Sequence, residues 1–208
     1  ASYCRQFLEP VDFGATGELL GLLHDLGKYV PEFQYYLLSS GGRLKTGDNY
    51  FIANSKDLRG KIPHAGAGAR WLLNQKQPAT PIRVMLAMTI ATHHDGLWDF
   101  IAPDGESEFR RRLINSAYQY EPVQAIYDRA EQAIRDRLQQ LISGKEIPQE
   151  FLRFEHRQKG MISPDLLCFK QGMLLKHFRS ALLDADQLDA AGRQLQPTID
   201  WADLLTVF

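Results

Sequence analysis

Six histidines occur in the 208 residues, and four of them stand where an imidazole can do chemistry. His24 is followed at once by Asp25, with Gly27 and Lys28 just beyond; His64 follows a proline; His93 and His94 are adjacent. Neighbouring side chains on a helix project about 100° apart, because a turn takes about 3.6 residues. A His-Asp pair can then offer a nitrogen to one metal ion while the carboxylate bridges that ion and a second. Lys28 is one helical turn after His24, so its ammonium reaches the same face and can hold a phosphate oxygen beside the ions. Leucines on both sides of the pair count against a plain surface position, since charged groups in apolar surroundings need partners. No one of these features is decisive alone; together they suggest a metal centre that works on a phosphate.

Apolar residues recur at three- and four-residue spacing almost throughout, and period-two alternation is scarce, so the chain is expected to be all-α, a single irregular helical bundle. The pattern predicts helices over residues 2–8, 18–28, 32–38, 65–73, 82–92, 121–143 and 165–188, the last as one helix or two abutting ones. His24 and Asp25 fall inside the second of these, amid Leu19, Leu20, Leu22, Leu23 and Leu26. His64 stands at the start of the small-residue helix 65–73, whose glycines suit close packing against a neighbour. His93 and His94 end the helix 82–92, which is apolar nearly all round and belongs in the middle of a bundle. Residues 39–62 read as a glycine-rich loop with a short ordered piece at Tyr50-Phe51-Ile52, placed to cap the site or leave it open. Residues 97–120 read as loop with a basic patch at Arg110-Arg111-Arg112, and 144–164 as mixed and polar. The chain starts inside a helix without Met or cap, and is expected to be a fragment of a longer protein.

Four segments, taken in order, resemble the HD superfamily of metal-dependent phosphohydrolases, and more closely the HD nuclease domain of the CRISPR-associated helicase-nuclease of type I systems. They are Leu22-Leu23-His24-Asp25-Leu26-Gly27-Lys28 with Pro31-Glu32-Phe33-Gln34 after it, Pro63-His64-Ala65-Gly66-Ala67-Gly68-Ala69, Ala91-Thr92-His93-His94-Asp95-Gly96, and the run from Ser180 to Asp189. The resemblance implies a two-metal nuclease cutting single-stranded DNA, supplied by a helicase portion or subunit once an RNA-guided surveillance complex has opened the duplex. It implies His24 and Asp25 as ligands with Asp25 bridging, His64, His93 and His94 as ligands of the second ion, and Lys28 near the substrate phosphate. The last acidic ligand is Asp184 or Asp186, which point about 200° apart on a helix. Asp186 is the choice, being nearer the buried stripe of Leu174, Phe178, Ala181, Leu182 and Ala185 and matching the superfamily's Ala-Asp. The family carries a further histidine upstream of the HD pair, and none precedes His24 here; it is expected to lie before Ala1. His156 and His177 match no motif, and His177 reads as structural.

Composition narrows the remainder. With 24 basic and 25 acidic residues there is no global footprint of nucleic-acid binding, but bound metal ions can supply a positive field locally, so the balance excludes nothing. No apolar run approaches the roughly 18 residues of a membrane span, and no signal-peptide layout opens the chain, so a soluble cytoplasmic domain with no membrane partner is expected. Cys4 and Cys168 cannot build a disulfide framework or a cysteine zinc site, and read as small buried hydrophobes. Mixed histidine and carboxylate ligands suit Mn, Fe, Co or Ni better than Mg, without choosing among them. Two other readings remain: a phosphohydrolase acting on small nucleotides, and a non-catalytic module that docks a helicase or guide complex. Trp98, Phe100 and Tyr118–Tyr120 could stack bases, though anchoring roles suit them as well.

Overall fold

The computed structural model describes residues 1–58, 64–114, 122–158 and 163–192. Among these residues every regular element is helical, with no strand, as the spacing predicts. The α-helices are α1 (Ser2–Leu8), α2 (Gly14–Leu23), α3 (Pro31–Ser40), α4 (Gly66–Leu73), α5 (Thr80–Ala91), α6 (Glu108–Ile114), α7 (Val123–Asp128), α8 (Gln132–Ser143), α9 (Glu146–Gln158) and α10 (Pro164–Ala190). No helix among the described residues is long and apolar enough to cross a membrane.

Helix α2 lies at the centre, against α1, α5, α8, α9 and α10. Its leucines 19, 20 and 23 are fully buried, and an edge-to-face cluster of Phe13, Phe151 and Phe178 closes the core at its N-terminal end. The start of α2 has no cap of its own. Glu150, reaching from α9, accepts hydrogen bonds from the Ala15 and Thr16 amides at 2.7 and 3.0 Å and from the Thr16 hydroxyl at 2.6 Å. These are orphan donors of a first helical turn, and a buried carboxylate satisfies them. Glu18, further along α2, ties two more helices together through Arg5 of α1 and Arg137 of α8, at 2.6–2.8 Å.

Several boundaries differ from those the sequence predicts. The segment 18–28 is not one helix: α2 stops at Leu23, and a 3-10 turn covers Leu26–Tyr29. Pro31 bars the α region for Val30, which is extended at φ −67° and ψ 132°, so the chain must turn before it. The predicted helix 121–143 is two, with Arg129–Glu131 turning between α7 and α8 and the Tyr127 hydroxyl donating across the turn to the Arg135 carbonyl. Residues 144–164 contain α9, seated by Ile147 and Phe151, and the loop 97–120 contains α6, seated by Phe109 and Leu113. Residues 165–188 belong to one helix, which Ser163 caps by accepting from the Leu166 amide. Cys4 is buried as expected, but Cys168 is exposed on α10.

Candidate metal centre

His24 and Asp25 sit in the break between α2 and the 3-10 turn, where the chain leaves the core and two consecutive side chains can face one place. Two glycines let α4 bring His64 to them. A Cβ on Gly27 would lie 2.1 Å from the His64 carbonyl oxygen, and one on Gly68 would lie 1.9 Å from the Leu23 carbonyl oxygen. In both cases the added Cβ would meet main chain that cannot swing aside, so only glycine permits this approach. His93 and His94 arrive from the end of α5, and Asp186 from α10. Arg179 of α10 donates to the Thr92 and Asp95 carbonyls, which fixes the turn that carries the paired histidines.

The side chains gather into two groups among the described residues. His24, Asp25 and Asp186 form one; Asp25, His64, His93 and His94 form the other, and within each the potential ligand atoms lie within 4.8 Å of one another. Asp25 belongs to both. His24 Nε2 is 3.2 Å from Asp25 Oδ2 and 3.4 Å from Asp186 Oδ1, while His64 Nε2 is 3.8 Å from Asp25 Oδ1 and 2.7 Å from His94 Nε2. Lys28 Nζ donates to Asp25 Oδ2 at 2.6 Å, and Gln34 Nε2 donates to the Lys28 carbonyl at 2.6 Å.

The rings are aimed from behind. His93 Nδ1 is 2.6 Å from the Ile90 carbonyl and His24 Nδ1 is 3.1 Å from the Gly21 carbonyl, so in both rings a main-chain oxygen takes Nδ1 and Nε2 is left for the centre. Those two Nε2 atoms and Asp25 Oδ1 are buried without a hydrogen-bond partner. His24 Nε2 is close to both carboxylates yet aligned with neither. Buried polar atoms left so are costly, and each of the three belongs to a residue of one or both ligand groups, which suits bound cations. Bonds of about 2.0–2.2 Å from nitrogen and carboxylate oxygen to an ion are compatible with ligand atoms this close together.

The local field differs between the two groups. Burial works against charge on His24, but the Asp186 and Asp25 carboxylates outweigh it and hold the ring up at about 9. Burial likewise opposes ionisation of Asp25, and His24 with Lys28 overcomes it, so the carboxyl stays well below the usual range. His24 also lowers Asp186, against its burial. His93, desolvated and without a carboxylate bond, is pushed down to about 3 and is a neutral imidazole at pH 7, the form a metal takes. His24 thus lies between two ionised carboxylates in one group, and the other group contributes His93 as a neutral nitrogen donor.

The residues singled out in the sequence fall as follows. Asp186, not the exposed Asp184, faces His24. His156 and His177 are exposed and belong to neither group, so His177 has no buried structural role. Arg111 and Arg112 pair with Glu108 at the surface of α6. Tyr118–Tyr120 lie outside the described residues. The sequence reading missed Arg179 and Glu150, which carry no motif, and took Gly27 only as a motif letter.

A sequence model of the family described as Cas3, HD domain, matches residues 4–163. No curated protein and no solved structure matches the chain. The matched span holds His24, Asp25, Lys28, His64, His93 and His94, and ends before Asp186, whose place here rests on the geometry alone.

Proposed function

The chain belongs to the Cas3 HD-domain family, and on that premise we propose that it is a metal-dependent nuclease cutting single-stranded DNA in CRISPR interference. The observation that carries the proposal is Asp25 shared between two ligand groups, beside buried nitrogens that have no other partner. In this reading His24, Asp25 and Asp186 hold one divalent ion, and Asp25, His64, His93 and His94 hold the other. Such a pair supplies an activated water and a counter-charge for the leaving oxygen of a phosphodiester.

The chain's own groups do the rest. Lys28, held by Asp25 at the rim and partly exposed, places an ammonium where a phosphate oxygen enters. The Ile90 and Gly21 carbonyls keep His93 and His24 from rotating away as the strand binds. Asp25, Asp186 and His64 are all partly open to solvent, which suits a strand laid across the site. A helicase portion that delivers the strand and an RNA-guided complex that exposes it are the partners this reading requires, in the cytoplasm, with residues 1–208 as one HD domain.

The test is strand cleavage by the purified chain with Mn, Co or Ni, against the same protein in chelator. Single-stranded DNA should be degraded with metal and spared without it. Rapid hydrolysis of free nucleotides with DNA left intact would assign the chain to small-nucleotide hydrolysis instead. A loaded chain that hydrolyses neither would leave only docking.

A further inference from the structure

The stretch directly after the paired histidines takes no part in either ligand group, yet with α6 it lines an open cleft of about 630 Å³. That is within the roughly 300–1,000 Å³ of small-ligand sites. Its lining begins at Asp95, the residue after His94, so it borders the metal centre along the chain. Arg179 pins that border through the Thr92 and Asp95 carbonyls. The walls include Trp98, Arg111 and Arg112 on one hand and Asp95, Asp99 and Glu108 on the other. The Arg112 guanidinium lies over the indole, 5.2 Å from its centroid, and Glu108 holds both arginines. Trp98 Nε1 is buried and has no acceptor, a costly state for an N–H donor.

These features select a class of ligand. Three carboxylates against two guanidiniums disfavour a second phosphate. An aromatic wall, guanidinium donors and carboxylate acceptors together suit a neutral heterocycle with polar edges. Bases stack on aromatic side chains whatever their identity, and arginine adds to such platforms. We infer that this cleft is a base subsite, holding one nucleobase of the strand whose neighbouring phosphate lies at the metal centre. The inference rests on the nuclease reading above and adds to it the place where the strand is gripped.

The test is steady-state cleavage of single-stranded oligodeoxynucleotides by wild type, Trp98→Ala, Trp98→Phe and Arg111→Gln, the last at an exposed side chain. Strands are intact or carry one abasic site, moved position by position. Trp98→Ala should raise KM about tenfold and Trp98→Phe should recover most of the loss. Arg111→Gln should raise KM in the same direction. At one position the abasic site should raise KM for wild type and have no further effect on Trp98→Ala, which a merely structural tryptophan would not produce. An unchanged KM in Trp98→Ala and Arg111→Gln, or the same abasic profile in wild type and variants, overturns the subsite and leaves strand cleavage standing. Failure of the metal-loaded wild type to cut any strand overturns the nuclease reading and the subsite together.

Discussion

Lys28 and Asp25 are 2.6 Å apart, yet the proposed nuclease gives them different work. The carboxylate lies in both ligand groups, while the ammonium stands outside them with part of its surface free. Replacing Lys28 with Ala should therefore leave metal content near that of wild type and lower kcat about a hundredfold, the usual loss when one charge-stabilising donor is removed from a transition state. Elemental analysis beside strand-cleavage rates checks this; metal lost as fully as in a ligand variant would make Lys28 a support of the ions. The paired histidines likewise divide their roles. His93 is 1% exposed and anchored on Ile90, whereas His94 is exposed and meets His64. The types and order of these residues were legible in the sequence because a short motif keeps them together. The orientation of the rings was not, because it depends on main-chain carbonyls at Ile90 and Gly21 that carry no side-chain signal.

Helix α2 shows how an element hides its own end. Leu26 is 1% exposed in the 3-10 turn, as it would be in a continued helix, so the apolar pattern runs on across a break that frees His24 and Asp25 to face the site. The junction of α7 and α8 is hidden in the same way, since Ala130 stays buried while the chain turns around it. Helix α9 did have a signal in Ile147, Phe151 and Phe154, but the stripe is narrow and its surroundings are charged. Its chief contribution, Glu150 at the start of α2, comes from more than a hundred residues away and cannot be read locally. Glu150→Ala would strand the Ala15 and Thr16 donors in the core, and should lower unfolding stability by about 3 kcal/mol, with Glu150→Gln costing less. Urea denaturation measures both, and a change within about 0.5 kcal/mol would mean that water satisfies that helix end.

Across the whole molecule, the all-α character was legible from periodicity, and the family match agrees with the motifs that pointed to it. What spacing could not supply was the packing that brings α4, α5 and α10 to the end of α2. On the other side of α2, Glu18 fastens α1 and α8 to it, bound by Arg5 and Arg137. The Arg137 bond, opposed by burial and aided by Arg5, lowers its carboxyl below the ordinary value. A lowered folded-state pKa contributes stability that is present above the unfolded value, about 4.3, and is lost as pH falls through the folded one. Stability measured from pH 6 down should therefore fall more steeply in wild type than in Glu18→Gln; equal slopes would show that the ion pairs contribute nothing. The centre itself turns on one residue, since Asp25 is the only group common to both ligand sets among the described residues. The direct measurement is the number of divalent ions per chain, by elemental analysis, in wild type, Asp25→Asn and His94→Ala, with strand cleavage followed on the same preparations. Wild type should carry about two ions and cut the strand. His94→Ala should lose one ion, and Asp25→Asn both ions and all cleavage. An Asp25→Asn chain that keeps two ions or its activity would contradict a shared, bridging carboxylate.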